Sequence, residues 1–179
     1  MTKRVLVISS SLRPRSNSAA LAEAFAKGAR ESGHEVEFVS LLGKTLKFCI
    51  GCDKCQTTMR CIFEDDAESI VQKMLTAQVI VFASPVYYYG LSGQLKVLFD
   101  RTYPLYAADY AFREIYLLCS AADDSDGTME RPISNVQAWI DCFNDVTLKG
   151  VVSALGLESK DKIDGHAALD EAYQLGKSV

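Results

Sequence analysis

The sequence predicts a doubly wound α/β fold built on a five-stranded parallel sheet. Three observations carry this. Strand-like and helix-like segments alternate along all 179 residues. Three of the strand-like segments are continuous apolar runs, the pattern of parallel strands covered on both faces. No repeat, low-complexity tract or linker divides the chain, and this length suits one hydrophobic core. Residues 1–179 therefore read as a single domain.

The elements follow in order. Arg4–Ser9 is a buried strand, with Val5, Leu6, Val7 and Ile8 consecutive. Asn17–Ser32 is a helix that places Ala20, Leu21, Ala24, Phe25 and Gly28 on one face, with Gly33 at its C′ position. Glu35–Ser40 alternates polar and apolar residues, the mark of a strand with one wet face near a sheet edge. Glu64–Ala77 is a helix opened by Asp65 or Asp66. Gln78–Ser84 is a second solid apolar strand, and Leu95–Tyr103 is helical. Glu114–Ser120 is a third buried strand. Pro132–Val146 is a helix with Pro132 near its first turn. Gly150–Leu155 is the last strand, and Ala167–Gly176 a closing helix.

Composition narrows the function. Hydrophobic residues at 49% and charged residues at 23% exclude disordered, collagen-like and coiled-coil chains. No apolar run approaches the ~20 residues of a membrane span. The apolar stretch after Lys3-Arg4 is too short for a signal peptide, so a cytoplasmic protein with no membrane partner is expected. The net charge of −4 argues against a nucleic-acid partner. Residues 1–30 nonetheless hold six basic side chains against Glu23 alone. That local field suits a small anion, or it is a solvated basic face.

In doubly wound sheets ligands sit beyond the carboxyl ends of the strands. The first such loop, Ser9–Ser18, leads from a buried strand into a helix N-terminus. It contains five serines, Asn17 and two arginines. Hydroxyls, free backbone N–H groups and a helix dipole make a phosphate site; a loop that merely caps its helix is the alternative. Neither a Walker A loop nor Gly-x-Gly-x-x-Gly occurs. After the third strand comes Ser84-Pro85-Val86-Tyr87-Tyr88-Tyr89-Gly90. Three adjacent tyrosines cannot all be buried. They wall a flat aromatic ligand or belong to an aromatic core cluster.

Together these loops resemble the NADPH-dependent FMN reductase family of the flavodoxin-like fold. Ser11–Ser18 is similar to its phosphate loop, with Ser10 and Leu12 departing from the usual Gly and Pro. Ser84–Lys96 is similar to its flavin-ring loop, and the closing Gly165–Gly176 segment matches too. The resemblance implies the sheet order 2-1-3-4-5, an FMN cofactor and NAD(P)H as substrate. It implies that Ser11, Arg13, Ser16, Asn17 and Ser18 hold the phosphate. Ser84, Pro85, Val86, Tyr87, Tyr88 and Tyr89 would border the isoalloxazine, and the turn at Ser120, Ala121 and Ala122 its pyrimidine end. The flavin would carry the chemistry, so no catalytic side chain is required. The acceptor would be a small quinone or flavin, or a redox partner protein. The family and the exposed residues of Tyr87–Tyr106 imply a homodimer.

Six cysteines in such a chain do not read as a disulfide framework. Cys119 and Cys142 lie in apolar surroundings and read as core. Cys49, Cys52, Cys55 and Cys61 fall in a loop at about 43–63. Their spacing resembles that of the iron-sulfur flavoproteins, which hold a 4Fe-4S cluster beside FMN. A structural zinc, a redox disulfide and a loop of free thiols remain open, since cluster-free relatives share similar spellings. His34 and His166, each beside a glycine, read as surface residues. Asp123–Gly127 reads as a flexible acidic loop near the flavin.

Overall fold

The structure, a computed structural model, describes residues 1–159 and 162–179. The elements are β1 (Arg4–Ser9), α1 (Asn17–Glu31), β2 (Glu35–Ser40), α2 (Cys55–Thr58), α3 (Asp66–Thr76), β3 (Val79–Tyr87), β4 (Gly90–Leu91), α4 (Gly93–Arg101), a 3-10 turn (Tyr103–Ala107), β5 (Glu114–Ser120), α5 (Glu130–Ile140), β6 (Thr147–Ala154) and α6 (Ala167–Lys177). No helix among the described residues is long and apolar enough to cross a membrane.

The sheet has six strands where five were expected. Five are parallel in the order β2-β1-β3-β5-β6, and β4 pairs off this path, antiparallel to β3. Two residues are too few to leave a periodic trace in the sequence. β4 exists because Tyr88 and Tyr89, both at positive φ (49° and 59°), reverse the chain and lay Leu91 against Val86. The same pairing carries β3 to Tyr87 rather than ending it at Ser84.

Other boundaries moved for local reasons. α4 starts at Gly93 because the Ser92 hydroxyl caps Leu95 N. It stops at Arg101 because Pro104 follows and the chain tightens into the 3-10 turn. α5 ends at Ile140, and β6 begins at Thr147, earlier than its apolar core suggests. Alternating exposure along β6 marks it as an edge strand, so its first half carries polar residues.

Alternate residues of the strands feed two cores. Leu6, Ile8, Ile80, Phe82, Ile115 and Leu117 pack under α3, α4 and α5. Val5, Val7, Val79, Val81 and Leu118 pack under α1 and α6. The aromatic residues Phe82, Phe99, Phe112 and Trp139 knit the first core ring to ring. On the other face α1 and α6 meet backbone to backbone. A Cβ on Gly176 would stand 2.1 Å from Phe25 O, and one on Gly28 2.1 Å from Tyr173 O.

That contact yields a prediction. Gly176→Ala must push the two helices apart and is expected to cost about 1–3 kcal/mol. Urea unfolding checks it, and a midpoint equal to the parent's contradicts the described packing.

Candidate functional site

The β1–β3 pairing sets the site. Ser9 lies opposite Ala83, so the loops that leave these strands start side by side. Three serines then lace them together. Ser10 donates to Ala83 O from its backbone N (2.8 Å) and its hydroxyl (3.0 Å). The Ser92 hydroxyl donates to Ser10 Oγ (2.8 Å), and Ser92 N donates to Ser84 Oγ (3.0 Å). Ser10, Ser84 and Ser92 are all fully buried.

Past this lacing, the first loop turns into α1. Arg15 takes a left-handed conformation, and the Ser16 hydroxyl caps Ala19 N (3.2 Å). Ser11 Oγ accepts from Arg13 N (3.2 Å). Among the described residues, the backbone N–H groups of Asn17 and Ser18 make no hydrogen bond, and the first turn holds no acidic side chain. The α1 N-terminus is thus an electropositive end with free donors.

It opens on a cleft of about 200 Å3. Ser11, Arg13, Ser16 and Asn17 form one wall. Pro85, Val86 and Tyr87 form a second, and Ser120, Ala121 and Ala122 a third. The remaining expected residues stand outside the lining. Ser18 is buried behind Ser16, hydroxyl to hydroxyl at 3.5 Å. Ser84 is consumed by the lacing. Tyr88 is 101% exposed at the tip of the turn, and Tyr89 lies beside it.

A fourth wall, Leu157 to Ser159, escaped the sequence reading. The rule about carboxyl ends of strands points to it, because it follows β6. Its residues carry no motif. Leu157 N donates to Ala121 O (2.9 Å), and Asn17 Nδ2 donates to Ser159 O (2.9 Å). Asn17 Oδ1 is left buried without a partner among the described residues. Glu158 adds a carboxylate to the rim.

The cysteine segment lies between β2 and α3. Cys49, Cys52, Cys55 and Cys61 all line one small apolar pocket of about 20 Å3, shared with Ile62, Phe63 and Tyr103. All four are free thiols. Burial pushes the Cys55 thiol up, and the proximity of Cys61, Cys49 and Cys52 adds to this. Among the described residues no three potential ligands stand at metal-coordinating positions. The four sulfurs share a pocket without being drawn to one point.

Both stems of this segment are pinned. Arg101, at the end of α4, forms a two-pronged pair with Asp65 (2.6 and 3.0 Å) and donates to Lys47 O (2.8 Å). The Arg101 and Asp65 side chains are 1% and 2% exposed. Lys47 N donates to Asp65 Oδ2 (2.8 Å), and Asp66 holds Thr45 N (2.8 Å) and Lys44 (2.9 Å). Burial alone would raise the Asp65 pKa. The hydrogen bonds from Arg101, Lys47 N and Ala67 N outweigh it and hold the carboxyl below its usual range.

Three expectations need correcting or sharpening. Cys119 is core as expected, its thiol pushed up to about 12 by burial. Cys142 is exposed rather than core, because α5 ends at Ile140 and the chain turns outward. His34 and His166 are partly buried and structural. His34 accepts from Lys3 N (3.1 Å), and His166 caps α6 through Ala168 N (3.1 Å). The Asp123 loop is folded on itself, with Ser125 and Thr128 both donating to the Asp123 carboxylate.

Fold and cleft define a flavodoxin-like protein with an electropositive helix end beside an apolar wall. Its backbone superposes with TM-score 0.77 on the NAD(P)H:quinone oxidoreductase from Methanothermobacter marburgensis, at 21% identity, covering 99% of this chain and 96% of that one. Residues 3–137 match the family model described as NADPH-dependent FMN reductase. The chain belongs to that family and is a flavin-dependent oxidoreductase. It is 32% identical to an iron-sulfur flavoprotein of Methanocaldococcus jannaschii, over 98% of this chain and 95% of that one. It is 33% identical to an iron-sulfur flavoprotein of Archaeoglobus fulgidus, over 98% and 93%.

The Asp65 clamp carries a pH dependence. A carboxyl whose folded pKa is depressed adds stability above its unfolded value, about 3.9. That contribution is lost as pH falls through the folded pKa. Thermal unfolding from pH 7 downward is expected to show a loss below about pH 4 that Asp65→Asn lacks. Parallel curves for parent and variant would contradict the clamp.

Proposed function

We propose that the chain is an FMN-dependent NAD(P)H oxidoreductase that passes electrons to a small acceptor. One observation carries this reading: the α1 N-terminus and the Pro85–Tyr87 wall border the same cleft. The residues present fit FMN. The N–H groups of Asn17 and Ser18, the Ser11 and Ser16 hydroxyls and Arg13 would hold its phosphate. The orphaned Asn17 Oδ1 needs a donor, which a ribityl hydroxyl supplies. Tyr87, Val86 and Pro85 offer a flat apolar face to the ring, and the turn at Ser120 and Ala121 offers backbone groups to its polar edge. When bound, FMN would supply the hydride-accepting and electron-storing chemistry that links NAD(P)H to an acceptor such as a quinone or free flavin. The chain's part is to orient the two rings and keep water from the apolar wall.

A second reading has its own support. The four cysteines line one pocket, and relatives matched over nearly their whole length are named iron-sulfur flavoproteins. Four thiols in an apolar pocket fit a 4Fe-4S cluster in ligand type and number. When bound, such a cluster would supply single-electron transfer to an outside redox carrier. The chain's residues would then fold the loop so that all four sulfurs face inward.

Anaerobic purification followed by stopped-flow mixing with NADPH tests both. The first reading expects a yellow protein whose flavin absorbance bleaches on mixing. The second expects a brown protein with stoichiometric iron and sulfide. A flavin that NADPH leaves unreduced, in a protein without iron, overturns both.

A further inference from the structure

Arg101 is spent on the cysteine segment alone. Its Nη1 reaches Lys47 O and Asp65 Oδ2, and its Nη2 reaches Asp65 Oδ1. Lys47 stands just before Cys49, and Asp65 just after Cys61. One guanidinium therefore joins the two stems of the loop. The Phe63 ring packs over it, 5.3 Å from Cζ to the ring centre.

One donor is left over. Arg101 Nε is buried and has no partner among the described residues. A buried donor without an acceptor is costly and rare. Cys61 shares its pocket with Phe63, whose ring covers the guanidinium, and its thiol makes no hydrogen bond to Arg101. A neutral thiol is a poor acceptor, whereas a sulfur bound to metal is negatively charged and a good one. A buried ion pair is in itself weak evidence of stabilisation. Its placement here, between the two stems of the cysteine segment, gives it another task.

We propose that Arg101 is a positioning residue of the cysteine site: its fork fixes the stems, and its Nε–H is held for the Cys61 sulfur when that sulfur ligates iron. The inference rests on the reading of Cys49, Cys52, Cys55 and Cys61 as an iron-binding set. Lysine does not replace arginine in this role, because it lacks both the planar fork and the side-facing donor. Hydrogen bonds to ligating sulfurs raise a cluster's reduction potential and fix ligand geometry.

The test compares the anaerobically purified parent with Arg101→Lys, which keeps the charge facing Asp65. A double variant, Arg101→Leu with Asp65→Leu, replaces the pair by apolar residues in case the single change misfolds. Iron and flavin content, iron loss to a chelator and cluster midpoint potential are measured on the purified proteins. Amide hydrogen exchange over residues 44–63 is measured after the metal is stripped. Both variants are expected to keep FMN. Iron loss should be roughly tenfold faster, the factor for one charge-assisted hydrogen bond, and the potential should shift to more negative values. A purely structural arginine would be rescued by lysine in all readouts. Parent-like iron loss and potential in both variants overturn the proposal. A parent without iron overturns the cluster reading and the sulfur contact with it. In that event faster exchange in the double variant supports the stem clamp, and unchanged exchange overturns that as well.

Discussion

The hydrogen-bonded pairing of β1 with β3 is the constraint on which the site depends. It places Ser9 beside Ala83, so two loops distant in sequence leave the sheet as neighbours. Ser10, Ser84 and Ser92 then bond to one another and to the Ala83 and Pro85 carbonyls below the cleft. These buried polar groups are satisfied by one another, which fixes the loops without exposing a competing donor set. Above them, the α1 end and the Pro85–Tyr87 wall remain free for a ligand.

Much of this was legible in the sequence. β1, β2 and β5 have the expected bounds, because unbroken apolar runs and strict alternation are strong signals over six or seven residues. The polar loop at Ser9–Ser18 announced a helix end with spare donors. Other features left no periodic trace. β4 depends on a turn at Tyr88 and Tyr89 that residue type does not announce, since both are unusual at positive φ. The first half of β6 is an edge strand, and its polar residues hide it. Leu157–Ser159 reach the cleft only through tertiary hydrogen bonds. Arg101 reads as a last-turn residue of an ordinary helix, where a basic side chain is common. Its burial follows from the fold, not from its neighbours in sequence.

Helix α4 joins the two sites. Ser92 at its start belongs to the lacing under the cleft. Arg101 at its end belongs to the cysteine clamp. Nine residues of helix place these ends roughly 14 Å apart along the axis. Leu95, Leu98 and Phe99 root the same helix in the core. A shift at one end is therefore carried rigidly to the other, a sound arrangement for keeping the cysteine loop at a fixed distance from the cleft.

The central claim is that one cleft grips an anionic tail and a flat ring at once. The most direct measurement is the affinity of flavin-free protein for FMN and for riboflavin, which shares the ring but lacks the phosphate. The account predicts that riboflavin binds roughly 100-fold more weakly, the loss of about two charge-assisted hydrogen bonds. Equal affinity for the two would mean that the α1 N-terminus holds no phosphate, and the cleft would lose its meaning.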